Sequence, residues 1–177
     1  MNQNHNILMK ILVPIDGSEQ SIKALKYAIY LLKLEHIKSN SSKEDSREII
    51  IVKVLPRFHI PLGFEKPMKS IKTGNTISLS EYITEMSKML KTEWTEKLSE
   101  IKKKYINSGV SVRTQLLEDG QSSRTIADSI RKFSNQEQVD IIVVGYVGLG
   151  GIPKIKAFGS VSRNLVEISN RPVLVVH

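Results

Sequence analysis

Apolar runs and helical stripes alternate along this chain of 177 residues. "ILMKILVPID" (Ile7–Asp16) is a short apolar run that ends in a proline and predicts a buried first strand. In "GSEQSIKALKYAIYLLKLE" (Gly17–Glu35), Ile22, Leu25, Ile29 and Leu32 recur at helical spacing and predict one apolar stripe. Asp16 or Ser18 caps its first turn, since either side chain can accept from a free backbone N–H. Ser39–Ser46 is a polar loop. "REIIIVKVLP" (Arg47–Pro56) predicts a second strand.

Residues 57–80 carry two prolines, two glycines and no clear period. A loop of that length in a compact domain is typically functional or mobile. From Ile83 the apolar positions step by three or four through Met86, Leu90, Trp94, Leu98 and Ile101 to Tyr105, predicting a long packed helix that stops at "NSG" (Asn107–Gly109). "VSVRTQLLEDG" (Val110–Gly120) predicts a third strand. "QSSRTIADSIRKF" (Gln121–Phe133) predicts a helix capped by Ser122 or Ser123. "VDIIVVG" (Val139–Gly145) is a fourth strand, "SVSRNLVEIS" (Ser160–Ser169) a last helix and "RPVLVVH" (Arg171–His177) a last strand. Strands alternating with helices imply a single α/β domain over residues 1–177, with a parallel sheet covered on both faces.

Composition narrows the chemistry. There is no cysteine, so disulfides, thiolate nucleophiles and cysteine-bound zinc are excluded. No apolar run reaches the roughly 20 residues of a membrane span. The N-terminal "MNQNHN" lacks the cationic and apolar regions of a signal peptide, so the expectation is a soluble cytoplasmic protein with no membrane partner. The net charge of +8 fits either a polyanion partner such as a nucleic acid or a lysine-rich soluble surface. The lysines are dispersed, and the run Lys102–Lys104 follows Glu93, Glu96 and Glu100, which favours the second reading.

The candidate site is "GYVGLGGIPKIKAFGS" (Gly145–Ser160), with five glycines and two lysines, Lys154 and Lys156. Ligands of open α/β sheets bind beyond the carboxyl ends of the strands, where this loop joins Asp16 and Val54. Glycine lets a backbone approach a ligand closely, and the free N–H groups of the helix starting at Gly159-Ser160 favour an anion. The alternative is a strand-to-helix connection whose glycines serve geometry alone. Neither G-x-x-x-x-G-K-[ST] nor a complete G-x-G-x-x-G occurs here. His5, His36, His59 and His177 share no spacing, and no catalytic or metal-ligating set emerges. Glu118 and Asp119 either reach the crevice or cap the next turn.

Gly145, Gly148, Gly159 and Ser160 resemble the G-x2-G-x9-G-[ST] pattern of the ATP-binding universal stress proteins. "KILVPIDGSEQSIKALKYA" and "GSVSRNLVEISNRPVLVVH" are similar to that family's opening and ending. Ten residues, Leu149–Phe158, separate Gly148 from Gly159 where the pattern has nine. The resemblance implies strand order 3-2-1-4-5, a Rossmann-like sheet, and binding of ATP or AMP, with Mg2+ accompanying ATP. It places Asp16 and Val54 toward adenine, Gly145 and Gly148 near the ribose and phosphates, and Gly159, Ser160 and Ser162 at phosphate oxygens, with Pro14 and Val161 also among the nucleotide-binding residues. It further implies a homodimer through residues 172–176. The expected role is a nucleotide-gated stress-response switch. The alternatives are a slow ATP hydrolase, a basic nucleic-acid-associated protein and a nucleotide-free dimeric scaffold.

Overall fold

The computed structural model describes residues 9–39, 47–60, 63, 66–147 and 158–177, with backbone alone at 35–39 and at Asp119. In chain order the elements are β1 (Met9–Pro14), α1 (Glu19–Ser39), β2 (Arg47–Pro56), β3 (Met68–Lys69), β4 (Thr76–Ile77), α2 (Leu79–Tyr105), β5 (Ser111–Gly120), α3 (Ser123–Gln136), β6 (Ile141–Gly145), α4 (Ser160–Ile168) and β7 (Val173–Val176). The main sheet is parallel with order β5-β2-β1-β6-β7. This is the expected order, with the numbers shifted by the extra hairpin β3–β4.

The central strands are apolar at nearly every position because both faces are covered. Ile11, Val13, Ile49 and Ile51 point into a layer with Leu25, Ile29 and Leu32 of α1 and Leu98 of α2. The intervening Leu12, Ile50, Val52 and Val54 point the other way, onto Ile130 and Phe133 of α3 and Leu165 of α4. Side chains one residue apart on a strand face opposite ways, so β2 feeds both layers.

Three expectations change. The segment 57–80 is not loop throughout: β3 and β4 pair antiparallel, Met68 with Ile77 and Lys69 with Thr76. The buried Ser70 hydroxyl in this hairpin lies 2.9 and 3.0 Å from the two Glu85 carboxylate oxygens of α2, and the Ile71 N–H donates to Glu85 at 3.0 Å. α2 begins at Leu79, four residues before its apolar stripe, because Ser78 and Glu81 form a reciprocal capping box. α1 runs on to Ser39, and the remainder of the predicted polar loop, 40–46, lies outside the described residues.

Candidate functional site

The strand order puts the exit of β1 between the exits of β2 and β6. At β1, Pro14 is buried and the Ile15 N–H donates to the Val52 carbonyl at 2.8 Å. Of the two candidate caps, Ser18 caps the first turn of α1 and Asp16 holds Ser18 in place. The Ser18 N–H donates to the Asp16 carboxylate at 2.9 Å, and the Ser21 N–H donates to the Ser18 hydroxyl at 3.1 Å. Gly17 between them has φ +92°, where a side chain is strained, and a Cβ there would stand 3.3 Å from Trp94 of α2. The Lys53 ammonium sits 4.1 Å from the centroid of that indole, with Lys97 at 5.2 Å. Burial holds Lys53 below the usual lysine range; Asp16 opposes the shift and Lys97 adds to it.

At β2, Val54 is buried on the opposite face from Lys53, within the α3–α4 layer. Gly120, ending β5, packs so closely that a Cβ would lie 3.0 Å from the Leu55 carbonyl and 3.1 Å from Ile126. Glu118 neither enters the crevice nor caps the turn: it pairs with Lys91 of α2 at 2.6 Å.

At β6, Gly145 meets the first turn of α1. A Cβ on it would lie 2.8 Å from the carbonyl carbon and oxygen of Gln20, so this glycine is needed for helix–strand contact whatever else it does. The glycine-rich connection is clasped at its two ends. Tyr146 stacks on Phe158 with centroids 5.4 Å apart, and the Gly159 N–H donates to the Tyr146 carbonyl at 2.9 Å. The buried Ser162 hydroxyl donates to the Gly145 carbonyl at 2.7 Å. His177 also stacks on Tyr146, 4.2 Å between centroids. Residues 148–157, including Gly148, Lys154, Lys156 and most of the ten-residue interval, lie outside the described residues.

α4 starts on this clasp. Its N-cap is Gly159, which supplies no side-chain oxygen, and Arg163 is the first residue whose N–H closes an intrahelical bond, to Gly159. The N–H groups of Ser160, Val161 and Ser162 therefore have no partner within the helix. Ser160 is exposed and Val161 half-buried. The structure thus gathers Pro14, Asp16, Gly145, Gly159, Ser160 and Ser162 around the β1–β6 exit, with Val54 one strand away. Sequence reasoning passed over Gln20, Tyr146, Phe158 and His177, which shape this edge. Tyr146 and Phe158 were readable as aromatics just inside the two ends of the glycine-rich segment. Among the described residues no group of three His, Asp or Glu side chains is placed to hold a metal ion, and no helix is long and apolar enough to cross a membrane.

The family model described as "Universal stress protein family" matches residues 75–177, more than half of the chain. The chain belongs to the universal stress protein family. It is 31% identical to universal stress protein YxiE of Bacillus subtilis, over 94% of this chain and 97% of that one. It is 28% identical to universal stress protein MJ0531 of Methanocaldococcus jannaschii, over 99% of this chain and 86% of that one. The solved structure of MJ0577, from the same archaeon, superposes with a TM-score of 0.63 at 27% identity, covering 96% of each chain. Two further universal stress protein structures share the fold. One, from Archaeoglobus fulgidus, is in complex with dAMP (21% identity, TM-score 0.54, 97% of this chain and 99% of that one). The other is in complex with cAMP (17% identity, TM-score 0.58, 97% and 98%).

Proposed function

We propose that this universal stress protein binds an adenine nucleotide, ATP or AMP, at the exit of β1 and β6 and acts as a nucleotide-gated regulatory module. The observation that carries the reading is the start of α4. Three backbone N–H groups without helical partners converge at a glycine cap, at the point where the strand order turns from β2 to β6 about β1. The dAMP and cAMP complexes of the two fold neighbours support an adenylate as the ligand class.

In this reading Pro14, Asp16 and Val54 bound the base, Gly145 and Gly148 lie along the ribose and phosphates, and α4 receives phosphate. The hydrogen bonds divide the work within α4. Gly159 has given its N–H to Tyr146 and Ser162 its hydroxyl proton to Gly145. The phosphate donors are therefore the N–H groups of Ser160, Val161 and Ser162 together with the exposed Ser160 hydroxyl. Mg2+ would accompany ATP. Regulation requires that the nucleotide bind one state of this edge more tightly than another, since only differential affinity shifts an equilibrium.

Calorimetry with AMP and with ATP tests the proposal. Micromolar affinity is expected, ~8 kcal/mol. Absence of both heat and a thermal shift at millimolar nucleotide would overturn it. Phosphate release by ATP-saturated protein separates the slow hydrolase from the switch. Nucleotide released on denaturing freshly purified protein argues against the nucleotide-free scaffold.

A further inference from the structure

A cavity of about 470 Å³ lies on the face of the sheet opposite Val54, between the exit of β2 and the N-terminal half of α2. Its position follows from alternation: Leu55 shares the face of Lys53, which lies on Trp94 of α2, whereas Val54 points into the α3–α4 layer. Leu55, Phe58, Ile83 and Leu90 give it an apolar lining. Among the described residues its charged groups are Arg57, Lys88, Lys91 and Glu118, and Lys91 engages Glu118 at 2.6 Å. The volume is that of a small-molecule site, and an apolar lining with a few charged groups is the usual composition of one.

We propose that this cavity is a second ligand site, for a single-tailed amphiphilic carboxylate. The apolar lining takes the tail and the exposed Lys88 ammonium on the rim takes the head. A single negative charge fits better than a polyanion, because Lys91 on the same rim is already engaged by Glu118. It lies on the face of the sheet opposite the Val54 side chain and does not depend on the nucleotide reading.

Decanoate is the probe, and emission from Trp94, the only tryptophan in the chain and one helical turn from Leu90, is the readout. Saturable binding is expected, tightening about tenfold for each two methylenes added from hexanoate to decanoate. Lys88→Glu, at an exposed position, should weaken decanoate about fivefold and leave the neutral analogue decanol unchanged. Ser87→Phe, also exposed, should fill the cavity and weaken both ligands. Thermal melts check that each variant is folded. Four results would overturn the proposal: no saturable decanoate signal at millimolar concentration, chain-length independence, indifference of decanoate to both folded variants, or displacement of decanoate by AMP.

Discussion

The hydroxyl of Ser162 donates to the carbonyl of Gly145 across 2.7 Å, and both residues are buried. One side chain in the first turn of α4 thereby ties the end of β6 to the start of the helix. Ser162→Ala leaves a buried carbonyl without that donor, which costs ~1–3 kcal/mol. Ser160 is exposed and has no such duty, so Ser160→Ala should change stability by less than about 0.5 kcal/mol. If α4 receives phosphate, Ser160→Ala should still weaken AMP several-fold. Urea denaturation and calorimetry on the two variants separate the structural serine from the ligand-facing one.

Gly145→Ala tests whether this glycine serves packing. The added methyl would meet main-chain atoms of Gln20 at 2.8 Å, and main chain cannot rotate aside as a flexible side-chain end can. The first turn of α1 must then shift, with an expected loss of ~1–3 kcal/mol. A melting temperature equal to that of the unmodified protein would show that α1 yields freely. Any loss of nucleotide affinity must be read against this structural cost.

Four strands of the main sheet were legible as concentrated apolar runs and β5 as an alternating segment, and their order was legible only through the family resemblance. The hairpin at Met68–Lys69 and Thr76–Ile77 was not, since two-residue strands are too short to show alternation. The start of α2 was readable in "SLSE", where Ser78 and Glu81 stand at capping-box spacing, although the apolar stripe starts later at Ile83. At the site, Asp16, Val54 and Gly145 could be found because they end strands. The contacts of Gly145 with Gln20 and of Tyr146 with His177 could not. They join residues far apart in sequence, and only the completed sheet brings them together.

A pH-dependent contribution lies at the opposite end of the sheet. The Arg113 guanidinium of β5 bonds the Glu137 carboxylate after α3 and reaches Glu48 of β2 at 3.1 Å. The hydrogen bond from Arg113 holds Glu137 below the usual carboxylate range, against a smaller opposing effect of burial. A carboxylate depressed in the folded state adds stability above its unfolded pKa, about 4.3, and loses it as pH falls through the lower folded value. Glu137→Gln should therefore lower stability at pH 7 by ~0.2–1 kcal/mol, as for partly exposed pairs. The difference from the unmodified protein should vanish toward pH 3. A difference that persists at that pH would assign the effect to packing.

The proposed homodimer makes a prediction about which backbone groups of β7 are free. β7 is an edge strand of the main sheet, and its four residues are all half-buried. An edge of valines and leucine is liable to pair with another strand unless covered, and a second copy related by two-fold symmetry is the simplest partner. The carbonyls of Pro172 and Val176 accept from the N–H groups of Ile142 and Tyr146 in β6. The N–H and C=O of one strand residue point to the same side, so Pro172, Leu174 and Val176 face β6, while Val173 and Val175 present theirs outward. A proline removes a single donor, so its position decides what breaks. Val175→Pro should shift sedimentation toward monomer at tens of micromolar and leave most of the folding stability. Leu174→Pro should instead disrupt the β6–β7 ladder and lower the melting temperature more. Equal sedimentation of Val175→Pro and the unmodified protein, both dimeric, would place the interface elsewhere. A monomeric unmodified protein would remove the dimer itself.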